Sequence, residues 1–155
     1  MTQNQATTLA AARQGIQRIV IDPERSESPT FGGRSFGSVG QYEKLRGTAY
    51  GELDPKDPRN AVITDIELAP VNQRGLVEYS TDIFILKPVN PELGNRRVIL
   101  DFNNRGQMRV GLLNGARAIN NPTSSEDAGT GFVMEMGYAV VGNGWDISAS
   151  GHEDM

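Results

Sequence analysis

Apolar and polar positions alternate along two stretches of this chain, then give way to short continuous apolar runs. In Tyr42 to Leu53, one face carries Leu45, Gly47, Ala49, Gly51 and Leu53, and the other carries Lys44, Arg46, Thr48, Tyr50 and Glu52. In Val77 to Leu86, Val77, Tyr79, Thr81, Ile83 and Ile85 stand opposite Glu78, Ser80, Asp82 and Phe84. A period of two predicts half-buried antiparallel strands, and the small residues of the first stretch allow a neighbouring layer to come close. Between them, Asp54 to Asn60 is a turn with two X-Pro steps. Ala61 to Leu68, with Val62, Ile63, Ile66 and Leu68, is expected to be a further strand, followed by a turn from Pro70 to Gly75. Upstream, Ile16, Ile19, Val20 and Ile21 predict a first strand that stops at Asp22-Pro23, and residues 24 to 41 read as a long loop.

Past residue 97 the pattern changes. Val98-Ile99-Leu100 and Tyr138 to Val141 are apolar without alternation, which fits strands buried on both faces. Each stops at a loop, Asn103-Asn104-Arg105-Gly106 and Gly142-Asn143-Gly144-Trp145-Asp146. Residues 107 to 119, with Met108, Val110, Leu112, Leu113, Ala116 and Ile119, suggest an imperfect helix interrupted by Gly111 and Gly115. Phe132, Val133 and Met136 fit a short helix capped by Gly137. An antiparallel β-meander followed by strand, loop-and-helix and strand predicts an α/β fold, passing from a sheet edge into a helix-covered parallel centre. Ligands of open parallel sheets sit at the carboxyl ends of the strands, so the two loops mark a candidate site. The expected organisation is a flexible N-terminal arm, first strand and loop over 1–41, then one domain over 42–155.

Composition narrows the function classes. The 155 residues carry 15 basic and 19 acidic side chains, a net charge of −4, and no basic stripe with interleaved aromatics, so no nucleic-acid partner is expected. Zero cysteines exclude disulfides and thiolate chemistry. The first thirteen residues lack the basic start and apolar core of a signal peptide, and no apolar run reaches membrane-spanning length. No membrane partner is expected, and a cytoplasmic location is the default. Asp54, Asp57 and Asn60 offer oxygen ligands, but two prolines and no downstream bidentate Glu favour a turn over a calcium loop. Gly142-Asn-Gly144 follows a strand as a dinucleotide loop would, yet Ile147 occupies the third glycine position. Neither cofactor nor metal is expected.

An ordered set of short motifs carries a resemblance over about residues 34 to 146: Tyr42-Glu43 with Leu45 and Gly47, Gly51-Glu52-Leu53-Asp54-Pro55, Asn60-Ala61 with Ile63 and Asp65, Leu68-Ala69-Pro70, Val77-Glu78-Tyr79, Leu86-Lys87-Pro88, Asn103 to Gly106, and Gly137 to Val141 leading to Gly144-Trp145-Asp146. In these the chain resembles the N-terminal part of the bacterial "alpha/beta hydrolase domain" family of esterase-like proteins. The resemblance implies a serine hydrolase acting on carboxylic esters, its sheet opening with the meander and the first parallel strands. It further implies that Asn104, Arg105 and Gly106 form the oxyanion loop, whose N–H donors are each worth roughly 3–4 kcal/mol to acyl transfer in other enzymes. Trp145 and Asp146 would line the same cleft and bind substrate. The local alternatives stay open: a plain turn with Arg105 paired to an aspartate, and Trp145 as a packed core or lid aromatic.

One departure limits the resemblance. No Gly-x-Ser-x-Gly occurs in the sequence, so the nucleophile is missing and the sheet incomplete. The chain is therefore expected to be the N-terminal portion of a longer hydrolase, inactive alone, needing the remainder of the domain to complete its sheet and act on a small-molecule ester. Ser148, Ser150, His152 and Asp154 crowd one polar tail, whereas triad members act from separate loops. The alternative class is a non-catalytic β-rich binding module for a carbohydrate or a protein.

Overall fold

The computed structural model describes residues 14–146; the N-terminal arm and the Ser/His/Asp tail lie outside them. Six strands form one mixed, largely antiparallel sheet: β1 (Gly15–Glu27), β2 (Ser35–Phe36), β3 (Gly40–Leu53), β4 (Val77–Pro88), β5 (Val98–Asp101) and β6 (Ala139–Asn143). Their order is β1-β3-β4-β6-β5, with β2 beside β3. The chain divides into two compact units, a smaller one made by Tyr50–Tyr79 with the residues up to Arg18, and a larger one made by Ile19–Ala49 and the residues from Ser80 on.

This corrects the expected α/β class. Strand accounts for 39 % of the described residues and helix for 19 %. The one α-helix among them is α1 (Phe132–Glu135), four residues long. Over 107–119 only Val110–Asn114 coils, as a 3-10 turn ended by Gly115 at φ 66°. The chain doubles back there so closely that a Cβ on Gly111 would stand 2.4 Å from the Arg117 carbonyl, which leaves no room for a continuing helix. Ala61 to Leu68 is not a strand either. Asp57 accepts the Arg59 N–H, Asn60 donates to the Asp54 carbonyl, and Asp65 sits at φ 56°, so side-chain-to-backbone bonds turn this segment locally. Val62 is left 87 % exposed.

In the small unit, Leu76 and Ile66 are the buried apolar anchors. The Asn72 side chain accepts from the N–H groups of Arg74 and Leu76, and the Glu52 carboxylate takes the Arg74 guanidinium and the Asn72 amide. The Arg18 guanidinium lies 4.0 Å over the Tyr50 ring.

In the large unit, the segment expected to be a loop supplies the core. β1 runs on through Asp22-Pro23 to Glu27, and Phe31, Phe36 and Tyr42 stack edge to face with ring centres 5.6 Å apart at each step. Phe84, Met134 and Val140 complete this centre. The Tyr42 hydroxyl reaches the carbonyls of Met134 (3.1 Å) and Tyr138 (3.0 Å), and burial raises its pKa far above the ordinary value. The Arg34 guanidinium donates to the carbonyls of Gly129 and Thr130 and lies over the Phe36 ring. β6 packs antiparallel to β4 (Phe84 opposite Gly142, Leu86 opposite Val140) and parallel to β5 (Val98 opposite Ala139, Asp101 opposite Gly142). Among the described residues β6 lies inside the sheet and β5 at its edge. Val98 and Leu100 accordingly face solvent, and only Ile99 packs on the core, which corrects the reading of this run as buried on both faces.

The turn Ser125–Ala128 closes the loop that leads to α1 through a capping box, in which the Ser124 hydroxyl accepts from the Asp127 N–H. The Asp127 carboxylate accepts the N–H groups of Thr123 (3.0 Å) and Ser124 (2.9 Å). Burial is the largest influence on Asp127 and pushes its pKa up, but these N–H donors, the Ser124 hydroxyl and the charge of Arg117 together bring it below the ordinary value. A carboxyl depressed in the folded state stabilises above its unfolded pKa, and that contribution is lost as pH falls through the folded one. Asp127→Ala should cost about 1–2 kcal/mol at neutral pH. Melting curves of both proteins should converge as pH drops below about 4; a gap unchanged with pH would refute the cap.

Candidate functional site

The parallel register of β5 and β6 brings the two expected loops out side by side at the same end of the sheet. Asn104 and Gln107 bridge each other, N–H to carbonyl, at 2.9 and 3.2 Å. Arg105 and Gly106 form the tip between them at φ 52° and 81°, a two-residue hairpin turn with both central residues left-handed. Glycine adopts that conformation freely; arginine does so at a cost.

Asn103, which precedes the expected oxyanion residues, holds the place together. Its Nδ2 donates to the Asn143 carbonyl (2.6 Å), its Oδ1 accepts the Gly106 N–H (3.1 Å), and its own carbonyl accepts the Trp145 indole N–H (2.8 Å). The loop after β6 is pinned in turn by the Gly144 N–H to the Asp82 carbonyl and by the Thr81 hydroxyl to the Gly144 carbonyl. Beneath the hairpin, buried Asp101 accepts the N–H groups of Arg109 (2.7 Å) and Val110 (2.6 Å), and the Asn120 amide spans the Gly106 carbonyl and the Met108 N–H. Met108 packs against Gly142, where a Cβ would meet its sulfur at 3.2 Å.

The expected site residues are thus neighbours, with altered chemistry. The N–H groups of Gly106 and Asn104 are committed to Asn103 and Gln107, which leaves Arg105 as the one of the three whose N–H has no protein acceptor among the described residues. Its guanidinium is exposed and pairs with no carboxylate among them, so the salt-bridged turn is not what forms. Trp145 is 54 % exposed with its N–H anchored, and so presents an oriented ring rather than a core one. Phe102 adds a second aromatic, 74 % exposed. Asp146 is half-buried.

A second polar assembly went unread in the sequence. On β3, Lys44 is 2 % and Arg46 5 % exposed, although alternation had put them on the polar face. The Lys44 ammonium donates to Asn121 Oδ1 (2.6 Å), the Pro122 carbonyl (3.2 Å) and Glu27 (3.3 Å). Burial lowers its pKa, with Glu27 opposing. The available signal was parity: Lys44 and Arg46 share a face with Tyr42, the most buried aromatic of the strand.

No protein-family model, curated protein or solved structure matches the chain. The hydrolase resemblance therefore rests on the motifs alone. Among the described residues no helix is long and apolar enough to cross a membrane.

Proposed function

We propose that the edge formed by the loops after β5 and β6 is the acyl-binding side of an ester-hydrolysing site, with its nucleophile carried by a further segment that lies against β5. The observation that carries this reading is the open β5 edge. Val98, Leu100 and Phe102 stand exposed in one row along and just after β5, whose other edge pairs with no strand among the described residues, a surface that proteins ordinarily cover or blunt with charge. The row leads directly into the hairpin, where Arg105 is exposed with no protein acceptor for its N–H among the described residues, and where the Trp145 indole is tied to the Asn103 carbonyl at the hairpin's base. An aromatic wall next to an N–H and a cation suits the carbonyl side of an aryl or alkyl ester, because negative charge develops on that oxygen during acyl transfer. No serine occurs in 102–107 or 143–146, which is why the nucleophile is assigned elsewhere.

Trp145 is the only tryptophan, so its emission reports this edge alone. Phenylphosphonate, an anionic mimic of the tetrahedral intermediate, should quench it saturably. Arg105→Gly, which keeps the N–H and relieves the positive φ, should weaken binding by about tenfold through loss of one charged contact. The 155-residue chain should not turn over 4-nitrophenyl acetate. Unchanged emission at saturating phenylphosphonate, or serine-dependent turnover by this chain, would defeat the reading. The strand-rich content favours a second reading, binding without catalysis, in which the same titration succeeds and no longer product of the gene reacts with a fluorophosphonate.

A further inference from the structure

The start of β5 and β6, at the end of these strands away from the hairpin, borders an open pocket of about 310 Å³ within the large unit. Its walls are apolar: Pro88 at the end of β4, Pro91 and Gly94 in the turn that follows, and Val98 opposite Ala139. The frame is rigid. The two prolines have fixed φ, the Asn95 N–H meets the Gly137 carbonyl (2.9 Å), and Asn95 Nδ2 meets the Met136 carbonyl (2.6 Å). Gly137 approaches so closely that a Cβ there would stand 2.9 Å from the Asn95 nitrogen. Three cations line the rim, and two are neutralised, Lys87 by Glu43 and Arg96 by Glu92. Arg97 is the third. It is bonded through its backbone, N–H to Asn95 Oδ1 and carbonyl to the Ala139 N–H, and its guanidinium has no carboxylate partner among the described residues. No carboxylate besides Glu92 lines the pocket.

We infer that this pocket binds a small monocarboxylate with an apolar body, its charge on the Arg97 guanidinium and its body against Pro88, Pro91, Val98 and Ala139. A preformed, mostly apolar hollow with a single polar anchor is the usual form of a small-molecule site, and needs little ordering on binding. One unopposed cation matches one negative charge, and the planar fork of arginine suits a carboxylate. The volume stands at the lower end of the roughly 300–1,000 Å³ common for such sites, which limits the body to about one ring. The inference does not depend on the ester-hydrolysis reading, since the pocket shares only Val98 with the exposed row and nothing with the hairpin or Trp145.

Calorimetric titration of the full chain tests it with benzoate, against acetate, which lacks the body, and benzyl alcohol, which lacks the charge. Benzoate should bind one-to-one and more tightly than either, and should shift the amide signals of Gly94, Gly137 and Ala139 in heteronuclear NMR spectra. Arg97→Gln, at an exposed position with no side-chain bond to lose, should fold normally and bind benzoate about tenfold more weakly. Ala139→Leu, which extends a side chain into the pocket, should weaken binding further; should it fail to fold, Arg97→Gln alone decides. Absence of saturable benzoate binding, equal affinity for acetate or benzyl alcohol, or undiminished affinity in Arg97→Gln overturns the site. Trp145 emission belongs to the edge and should stay unchanged as benzoate saturates; a parallel change would place the benzoate there and overturn the pocket.

Discussion

Tyr42→Ala should cost about 3–5 kcal/mol and leave the large unit close to unfolding. That is the usual range for truncating a buried aromatic, against total stabilities of about 5–15 kcal/mol for single domains. The ring is fully buried at the end of the Phe31–Phe36–Tyr42 stack, so its removal opens a void beside the Phe36 ring that the packed core cannot fill. Its hydroxyl also joins β3 to the carbonyls of Met134 and Tyr138, on either side of the turn between α1 and β6. Tyr42→Phe separates the two roles: it keeps the packing and should cost about 1 kcal/mol, the net value of one hydrogen bond. Urea denaturation followed by far-ultraviolet circular dichroism measures both. Equal losses in the two variants would mean that the hydroxyl, not the ring, carries the effect.

Asp101→Ala should cost about 2–6 kcal/mol and act first on the candidate edge. Both N–H groups that Asp101 accepts, from Arg109 and Val110, converge on one oxygen, Oδ2. Alanine leaves them without an acceptor in a place closed to much of the solvent, at about 1–3 kcal/mol each. Asp101→Asn keeps an oxygen there and loses only the charge, so it should cost about half as much. With the support of the hairpin gone, Trp145 emission should shift at a lower urea concentration than the loss of sheet signal. Coincident transitions in Asp101→Ala would show that the loop and the sheet unfold as one and that the carboxylate does not support the edge separately.

How much of this was legible depended on the range of the deciding contacts. β3 and β4 were readable because alternation is a local signal, and α1 because Gly137 caps it at φ 75°. The hairpin at Arg105-Gly106 was readable as a turn for the same reason. Ala61 to Leu68 misled because its apolar residues suit a strand while the side chains of Asp57 and Asn60 and the left-handed backbone of Asp65 turn the chain instead. The α/β assignment failed because it needed a helix over 107–119, where two glycines and a close chain reversal intervene. The burial of Lys44 was invisible because the oxygens that make it tolerable, at Asn121 and Pro122, lie 77 and 78 residues along the chain. The site was half visible in the same way. Asn103 reads as one more turn residue until Asn143, 40 residues away, is placed beside it.

Asn103 has a consequence for how that edge behaves in time. One side chain and its own carbonyl hold the tip of one loop, the backbone of the other and the indole between them. Neither loop can lift without breaking bonds that also fix its neighbour. Two loops that would otherwise open independently therefore have two joint states, shut or open, instead of four. If the edge binds a ligand as proposed, ordering of either loop is expected to order the other with it.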